Sequence, residues 1–418
     1  METQETQAKA ERVILVGVQT NETDVGFNYS LKELEQLTDT AQGVVVGQLT
    51  QKRSRVDSRT YLGKGKIEEL RQLVEELEAD TVIFNHELTP GQTRNIQDSV
   101  ETKVIDRVQL ILDIFAMHAK SKEGKLQVEL AQLQYLLPRL AGQGINLSRL
   151  GGGIGTRGPG ETKLETDRRH IRNQINDIRK ELAKTEKHRE LTRKQRKESN
   201  VFQIGLIGYT NAGKSTVLNK LTHAETYEEN KLFATLDPLT RQLKLPSGLN
   251  VTLTDTVGFI QDLPTQLIEA FHSTLEETRG VDLLLHIVDA SAENMLEHER
   301  TVMSLMTDLK MDHLPILTVY NKSDLIEGAF YPDYFPNIVI SARDDQDIEL
   351  LLAQLMNKVE EIMEPYRIDV PVDEGDTLIQ LKQETQIATQ EYDEEKNVYI
   401  VTGYAKAESR WIGESKKE

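Results

Sequence analysis

A nine-residue stretch with glycine near both ends, Gly208-Tyr209-Thr210-Asn211-Ala212-Gly213-Lys214-Ser215-Thr216, constrains the fold of this chain more than any other segment. An apolar run from Phe202 to Ile207 predicts a buried strand before it, and Val217 to Leu221 predicts the start of a helix after it. Glycine lets the backbone curl so that its N–H groups converge at the positive end of the helix, which favours a bound phosphate. Lys214 adds a charge for the β- and γ-phosphates, and the Ser215 hydroxyl is a candidate direct ligand of Mg²⁺.

Two segments after this turn are expected to complete the phosphate and magnesium site. Thr235 lies in a polar stretch where its hydroxyl can bind Mg²⁺ directly and touch the γ-phosphate. A predicted strand from Leu249 to Thr254 ends at Asp255, whose carboxylate is expected to hold Mg²⁺ through water. The Gly258 N–H can bond the γ-phosphate only while that phosphate is present, as in a switch. The nucleotide contacts expected here are Phe233, Ala234, Thr235, Leu236, Asp237, Asp255, Thr256, Val257 and Gly258.

The loop Asn321-Lys322-Ser323-Asp324, after a predicted strand from Ile316 to Tyr320, predicts which base the site binds. The Asp324 carboxylate can accept hydrogen bonds from the N1–H and the 2-amino group of guanine, whereas adenine presents a different donor pattern on that edge. Lys322 can lie along the base plane, and Asn321 can tie this loop to the phosphate-binding turn.

A second loop, Ser341-Ala342-Arg343, follows a predicted strand over 337–340 and offers backbone N–H groups to guanine O6. Each short motif taken alone also fits an ordinary loop, and the glycine-rich turn also fits a turn without a ligand. All of them occur in order, however, each at the carboxyl end of a predicted strand, where α/β sheets bind their ligands. The sequence therefore predicts a site for GTP and GDP.

The residue after Gly258 bears on the rate of hydrolysis. Many GTPases carry Gln there to orient the attacking water, whereas this chain has Phe259, which cannot hydrogen-bond to water. We therefore expect slow hydrolysis by the protein alone and faster hydrolysis once a partner orders the site. Asn211 can help to hold K⁺ beside the phosphates in place of an arginine finger, or it can simply brace the turn. The candidate catalytic residues are Lys214, Asn211, Thr235 and Gly258.

The composition excludes several classes of protein. A chain of 418 residues predicts two to four domains, and the absence of cysteine excludes disulfides and thiolate metal sites. The first residues lack the basic and apolar regions of a signal peptide, and no apolar run approaches membrane-spanning length. We expect a cytoplasmic, monomeric protein without a membrane span.

The pattern of strands and helices predicts a multidomain α/β protein. Strands alternate with helices before residue 106, which indicates an N-terminal α/β domain over 1–106 with a mostly parallel sheet. The P-loop GTPase domain is predicted over 201–364, with Pro365 as the break after it. Predicted strands over 366–372 and 396–404, with a helix over 376–383, indicate a small C-terminal α+β domain over 365–418.

Residues 107–200 are predicted to form an antiparallel helical hairpin with a glycine-rich tip. Two apolar seams recur at spacings of three and four, and neither helix can bury its seam alone. The seams are Leu126, Leu130, Leu133, Leu137 and Leu140, and Ile171, Ile175, Ile178 and Leu182. Between them, residues 142–163 hold eight glycines, so this loop cannot form a core.

The hairpin carries a local excess of positive charge. Residues 149–199 contain 15 Lys/Arg and 8 Asp/Glu, although the whole chain has a net charge of −18. A basic segment on an acidic chain is typical of a contact with a polyanion. We expect the tip to order on nucleic acid, the alternatives being a disordered linker and a merely solvated helix face. The candidate RNA-binding residues are Arg149, Arg157, Lys163, Arg168, Arg169 and Arg172.

Taken together, these residues resemble the HflX family of ribosome-associated GTPases. The resemblance rests on blocks in the helical region and its tip, which are specific to the family, and on nucleotide motifs that many GTPases share. The blocks are 106–116, 123–133, 158–169, 208–216, 233–238 and 255–259. Leu239 departs from the Thr expected there, which leaves the assignment of Thr235 unchanged.

The resemblance implies binding to the large ribosomal subunit and its rRNA, with the tip reaching toward the peptidyl-transferase region. It also implies separation of stalled or idle ribosomes under stress, hydrolysis stimulated by ribosomes, and contact with membranes only through ribosomes. The residues fit equally a GTP-gated RNA-binding module that acts outside the ribosome. A P-loop kinase or ATPase would need a base-recognition loop other than 321–324. Some family members use ATP through the N-terminal domain, but no second phosphate loop precedes residue 106.

Overall fold

The computed structural model describes residues 10–140, 163–198, 201–223, 232–233, 239–255, 258–260 and 279–415, without the side chains of 163–164, 186–198 and 414–415. The described residues up to Thr185 belong to one compact unit and those from Glu186 onward to a second. Several predicted site residues lie outside the described residues, or have side chains that do. They are Arg149, Arg157, Lys163, Ala234, Thr235, Leu236, Asp237, Thr256 and Val257.

The described N-terminal residues fold as a parallel sheet covered by helices, as the alternating pattern predicts. Its strands lie in the order β2-β1-β3-β4, and they are β1 (Arg12–Gln19), β2 (Val44–Lys52), β3 (Thr81–Phe84) and β4 (Lys103–Asp106). The helices between them are α1 (Asp24–Thr40), α2 (Lys64–Glu76) and α3 (Pro90–Val100). Local sequence sets the helix starts: Thr89 and Gln92 form a capping box at α3, with Pro90 in the first turn.

Three helices lie between β4 and residue 200 in the described part of the chain, namely α4 (Arg107–His118), α5 (Lys122–Arg139) and α6 (Lys163–Glu198). An ion pair of 3.5 Å between Lys122 and Glu181 fits an antiparallel arrangement of α5 and α6. Ile175 and Ile178 of the predicted α6 seam are buried. The α5 seam is only half-buried, which differs from the expectation, because α5 turns another face inward. The buried residues of α5 are Gly124, Gln127, Val128, Ala131 and Tyr135.

Six described strands in the second unit form the sheet that carries the nucleotide motifs. They are β5 (Phe202–Gly208), β6 (Leu239–Lys244), β7 (Asn250–Asp255), β8 (Leu283–Asp289), β9 (Ile316–Asn321) and β10 (Asn337–Val339). The order is β10-β9-β8-β5-β7-β6, with β6 antiparallel at one edge and the other pairs parallel. The carboxyl ends of β5, β7, β8 and β9 therefore lie along one edge of the sheet. The helices of this part are α7 (Lys214–Thr222), α8 (Met295–Asp308) and α9 (Asp345–Ile362).

The C-terminal residues form an antiparallel sheet in the order β11-β13-β12 among the described strands. Its elements are β11 (Glu364–Pro371), α10 (Gly375–Glu384), β12 (Gln386–Asp393), β13 (Val398–Ala405) and α11 (Arg410–Ser415). Sequence reasoning missed β12 and α11. Pro365 does not interrupt the chain, because it lies in the edge strand β11, where a missing N–H is tolerated. Trp411 is buried and packs in the core of this sheet.

None of the helices in the described part of the chain has both the length and the apolar character that crossing a bilayer requires.

Candidate nucleotide-binding site

The turn between β5 and α7 has the backbone that a phosphate-binding loop needs. Gly213, the residue before α7, has φ +95°, a left-handed conformation that side chains disfavour. A Cβ on Gly213 would lie 2.3 Å from Nδ2 of Asn321, so the base-recognition loop also approaches too closely for any other residue. Asn211 likewise has a positive φ of 60°, which Asn adopts more readily than most residues. The conformation does not decide between the two roles expected for Asn211, so bracing of the turn and K⁺ binding both stay hypotheses.

Lys214 is buried, and its ammonium group folds back on the turn. Its Nζ donates hydrogen bonds to the carbonyl oxygens of Gly208 at 3.1 Å and Tyr209 at 2.9 Å. Burial lowers the pKa of Lys214 to about 8, and the nearby carboxylate of Asp255 partly opposes that shift. A phosphate anion would be a stronger partner for this charge than the two neutral carbonyls.

Two of the predicted magnesium ligands lie side by side. Ser215, in the first turn of α7, donates from Oγ to Oδ2 of Asp255 at 2.6 Å. Asp255 ends β7 and is fully buried. A magnesium ion accompanies the phosphates in P-loop nucleotide sites, and a hydroxyl beside a carboxylate is the hard oxygen donor set that Mg²⁺ prefers. The residues therefore fit this ion.

Gly258 lies directly against the phosphate-binding turn. A Cβ on Gly258 would approach Thr210 Cα to 2.9 Å and Lys214 Nζ to 3.0 Å, so a side chain there would press on the lysine. The next residue, Phe259, pairs with the turn through its backbone: its N–H donates to Gly208 O at 3.2 Å, and its carbonyl accepts from Thr210 N at 2.7 Å. Its ring is 3% exposed. The expectation of slow hydrolysis without a partner stays a prediction.

A cavity of about 470 Å³ is lined by residues of the phosphate-binding turn together with residues of both base-recognition loops. Asn321 joins three segments, since its Nδ2 donates to Ala212 O at 2.9 Å and its Oδ1 accepts from Ala342 N at 2.9 Å. The residues that line the cavity are Asn211, Gly213, Thr216, Lys220, Asn321, Lys322, Asp324, Leu325, Ser341, Ala342 and Arg343.

Asp324 is oriented by the second base loop. Its Oδ1 accepts a hydrogen bond from Ser341 Oγ at 2.7 Å, and Ser323 beside it begins a short 3₁₀ turn. The backbone N–H groups expected to reach guanine O6 differ in their engagement. Ser341 N already donates to Asp347 Oδ2 at 2.6 Å, and Ala342 N donates to Asn321. The Arg343 N–H, 3.4 Å from Ser341 Oγ, is the least engaged of the three.

Sequence reasoning missed two carboxylates that support this site. Asp289 ends β8 and forms an ion pair of 2.7 Å with Lys322, which holds this side chain of the base-recognition loop in place. Asp347, in the first turn of α9, holds the Ser341 N–H. A carboxylate at the carboxyl end of a buried strand was the signal that identified Asp255, and the apolar run Leu283–Val288 before Asp289 carries the same signal.

The remaining predicted residues that the structure describes do not line this cavity. Phe233 is buried with φ 57°. Of the candidate RNA-binding residues on α6, Arg169 and Arg172 are exposed and Arg168 is half-buried.

Models of known protein families match three successive parts of the chain. A model described as GTP-binding GTPase N-terminal matches residues 28–116, and one described as GTP-binding GTPase middle region matches residues 118–196. A third, described as 50S ribosome-binding GTPase, matches residues 203–322.

Curated proteins match nearly the whole chain. The GTPase HflX of Alkalihalophilus pseudofirmus is 54% identical over 400 residues, which cover 96% of this chain and 95% of that protein. The GTPase HflX of Caldanaerobacter subterraneus subsp. tengcongensis is 49% identical over 384 residues, which cover 92% of this chain and 89% of that protein. Among solved structures, a GTP-binding protein from Sulfolobus solfataricus in complex with GDP aligns with 24% identity and a TM-score of 0.44, over 84% of this chain and 99% of that one.

Proposed function

The chain belongs to the HflX family of GTPases and hydrolyses GTP. From this premise we propose that it is a switch that binds the large ribosomal subunit and separates stalled or idle ribosomes under stress. The observation that carries this proposal is the cavity where the phosphate-binding turn meets the base loops, because such a site can couple nucleotide state to partner binding. The description of the family model over 203–322, a 50S ribosome-binding GTPase, supports the choice of partner.

The chemistry of the switch is assigned to the residues at the turn. Lys214 would hold the β- and γ-phosphates, and Asp324 would select guanine over adenine. Ser215 and Thr235 would hold Mg²⁺ directly and Asp255 through water, and the ion would neutralise charge on the phosphates. Phe259 cannot hydrogen-bond to the attacking water, so the ribosomal subunit would complete the site. Potassium held near Asn211 would add positive charge beside the phosphates.

The contact with rRNA is assigned to the hairpin. Arg169 and Arg172 are exposed on α6, where guanidinium groups can pair with phosphates of the RNA backbone. The glycine-rich segment before α6 adds Arg149 and Arg157, and glycine there allows the backbone to approach RNA closely.

The test is the GTP hydrolysis rate with and without purified large ribosomal subunits. A large stimulation is expected, because the subunit would supply the missing orientation of water. Deletion of residues 151–160 should keep the basal rate and remove most of the stimulation. No stimulation of the full chain, together with tight binding to isolated rRNA, would favour a GTP-gated RNA-binding module outside the ribosome.

A further inference from the structure

Helix α8 contacts both halves of the nucleotide site, through Tyr209 in the phosphate-binding turn and Tyr320 before the base loop. We infer that two consecutive buried residues of this helix, His298 and Glu299, are positioning residues for GTP hydrolysis. His298 holds the phosphate-binding turn, and Glu299 holds the strand that ends in the base-recognition loop. The helix thereby supports the phosphate half and the base half of the site together.

The first contact is an aromatic stack. The imidazole of His298 lies parallel to the ring of Tyr209, with 3.8 Å between ring centroids and 10° between planes. Both side chains are buried, at 8% and 4% exposed. Burial lowers the pKa of His298 to about 4, so the ring is neutral and adds no charge behind the phosphates. The nearby carboxylate of Asp289 partly opposes that shift in the pKa, and the ring offers Tyr209 shape and stacking.

The stack bears directly on the phosphate-binding lysine. The carbonyl oxygen of Tyr209 accepts the 2.9 Å hydrogen bond from Lys214 Nζ, and the next residue, Thr210, pairs with Phe259. The stack anchors the Tyr209 side chain and so its Cα, while the Thr210 N–H bond to Phe259 O holds the peptide that carries the Tyr209 carbonyl. Loss of the His298 ring would free this part of the turn, and Lys214 would lose a fixed position.

The second contact is a buried hydrogen bond. Tyr320 Oη donates to Glu299 Oε1 at 2.7 Å and accepts the backbone N–H groups of Asp333 at 3.1 Å and Tyr334 at 3.2 Å. Tyr320 is fully buried, and burial raises the pKa of Glu299. Tyr320 immediately precedes Asn321, so the bond fixes the end of β9 from which Asn321 and Asp324 project.

The helix is stiff enough to act as one body. Val302, Leu305 and Met306 are buried along the same helix and tie it to the rest of the fold. Consecutive residues of an α-helix differ by about 1.5 Å in rise and about 100° in direction, so neighbouring side chains can reach two different segments. The helix therefore supports both anchored segments from one rigid element, in addition to the hydrogen bond of 2.9 Å by which Asn321 Nδ2 joins the base loop to Ala212 O.

The two positions should have different kinetic signatures. Inosine triphosphate lacks the 2-amino group of guanine, so the ratio of GTP to ITP affinity reports the base half alone. His298→Ala should lower the affinities for GTP and ITP equally, and should also lower kcat, by about 5- to 10-fold each, as expected for the loss of an aromatic pair. Glu299→Ala should instead reduce the GTP to ITP affinity ratio by about 5-fold or more, since Tyr320 loses its acceptor.

Conservative variants separate positioning from general stability. His298→Phe keeps a flat ring against Tyr209 and should recover most of kcat, and Glu299→Gln keeps an acceptor for Tyr320 and should recover the affinity ratio. Glu297→Ala removes an exposed carboxylate from the same turn of α8 and should change neither. If Glu299→Ala does not fold, Tyr320→Phe removes the donor of the same bond and should lower the ratio in the same way.

The measurements are GTP and ITP affinities by fluorescent-nucleotide displacement, single-turnover hydrolysis rates, and thermal unfolding of each full-length variant. Unchanged hydrolysis in His298→Ala, or His298→Phe as slow as His298→Ala, would overturn the role of the stack. An unchanged GTP to ITP ratio in folded Glu299→Ala or Tyr320→Phe would overturn the role of the hydrogen bond. A change in the ratio at His298 as large as at Glu299 would refute their division between the two halves.

Discussion

Gly213→Ala tests how closely the phosphate-binding turn and the base loop are packed. The new methyl group would lie 2.3 Å from Asn321 Nδ2, well inside contact distance, and the residue would keep φ near +95°. Asn321 would have to move, and it holds Ala212 O and Ala342 N through hydrogen bonds of 2.9 Å each. One methyl group therefore strains the backbone and separates three segments of the site.

The magnitude divides into two parts. A left-handed conformation costs a non-glycine residue about 1–2 kcal/mol. That cost is present with or without nucleotide, so it lowers the free energy of unfolding and should lower Tm by about 2–8 °C. Loss of the two Asn321 hydrogen bonds costs about 1–3 kcal/mol. Nucleotide binding must restore that geometry, so GDP affinity should fall by about 5- to 150-fold.

A double-mutant cycle isolates the collision. In an Asn321→Ala background the colliding amide is absent, so Gly213→Ala should cost less than about 3-fold further in GDP affinity, although it should still lower Tm. Gly65→Ala is the matched control, because its new methyl group meets nothing within 4 Å and lies in helix α2. It should keep GDP affinity and raise stability by about 0.5–1 kcal/mol. Titration with GDP measures the affinity, and thermal unfolding measures Tm. Equal GDP affinity of Gly213→Ala and the parent protein would refute the proposed collision with Asn321.

Three further changes test other parts of the molecule. Asp324→Asn should lower GTP affinity by about 100-fold or more and favour XTP, since the amide can donate a hydrogen bond to the xanthine 2-oxygen. Competition between the two nucleotides measures this change, and a retained preference for GTP would contradict the role of Asp324 in guanine recognition. Asp106→Ala removes a buried carboxylate that accepts a hydrogen bond from Tyr135 Oη at 2.8 Å and forms an ion pair with Arg139 at 3.1 Å. The free energy of unfolding, measured by denaturant titration, should therefore fall by about 3–5 kcal/mol. A loss below about 1 kcal/mol would count against a stabilising role of this carboxylate. Replacing K⁺ by Na⁺ at equal ionic strength should slow hydrolysis if Asn211 holds K⁺, and equal rates would exclude that role.

Much of the nucleotide site follows from local sequence. The turn from Gly208 to Thr216 requires glycine, a lysine and a hydroxyl at fixed spacing, and the strand before it is mostly apolar. The N-terminal strands and helices likewise follow from periodicity and caps such as Thr89. These signals are readable because backbone conformation and phosphate chemistry depend on neighbours within a few positions.

Other features depended on which face of an element meets its neighbour. Helix α5 has a leucine seam with coiled-coil spacing, yet it buries Val128, Ala131 and Tyr135, on another face, more completely. Periodicity shows that a helix has an apolar side, but two adjacent faces of α5 are apolar enough to pack. The neighbouring helices decide between them.

The sequence by itself determined the chemistry of the site and the order of its parts, because each motif is a local pattern. Only the tertiary structure decided the pairings of Ser215 with Asp255, Lys322 with Asp289, and Tyr209 with His298. The sequence predicts that Asn321 ties its loop to the phosphate-binding turn, and the structure identifies Ala212 as its partner there. These partners are between 33 and 109 residues apart in the chain, and no local pattern specifies such a contact. The order β9-β8-β5-β7 places the carboxyl ends of these strands along one edge of the sheet, where all of these partners except His298 lie, and such an order depends on contacts between distant segments.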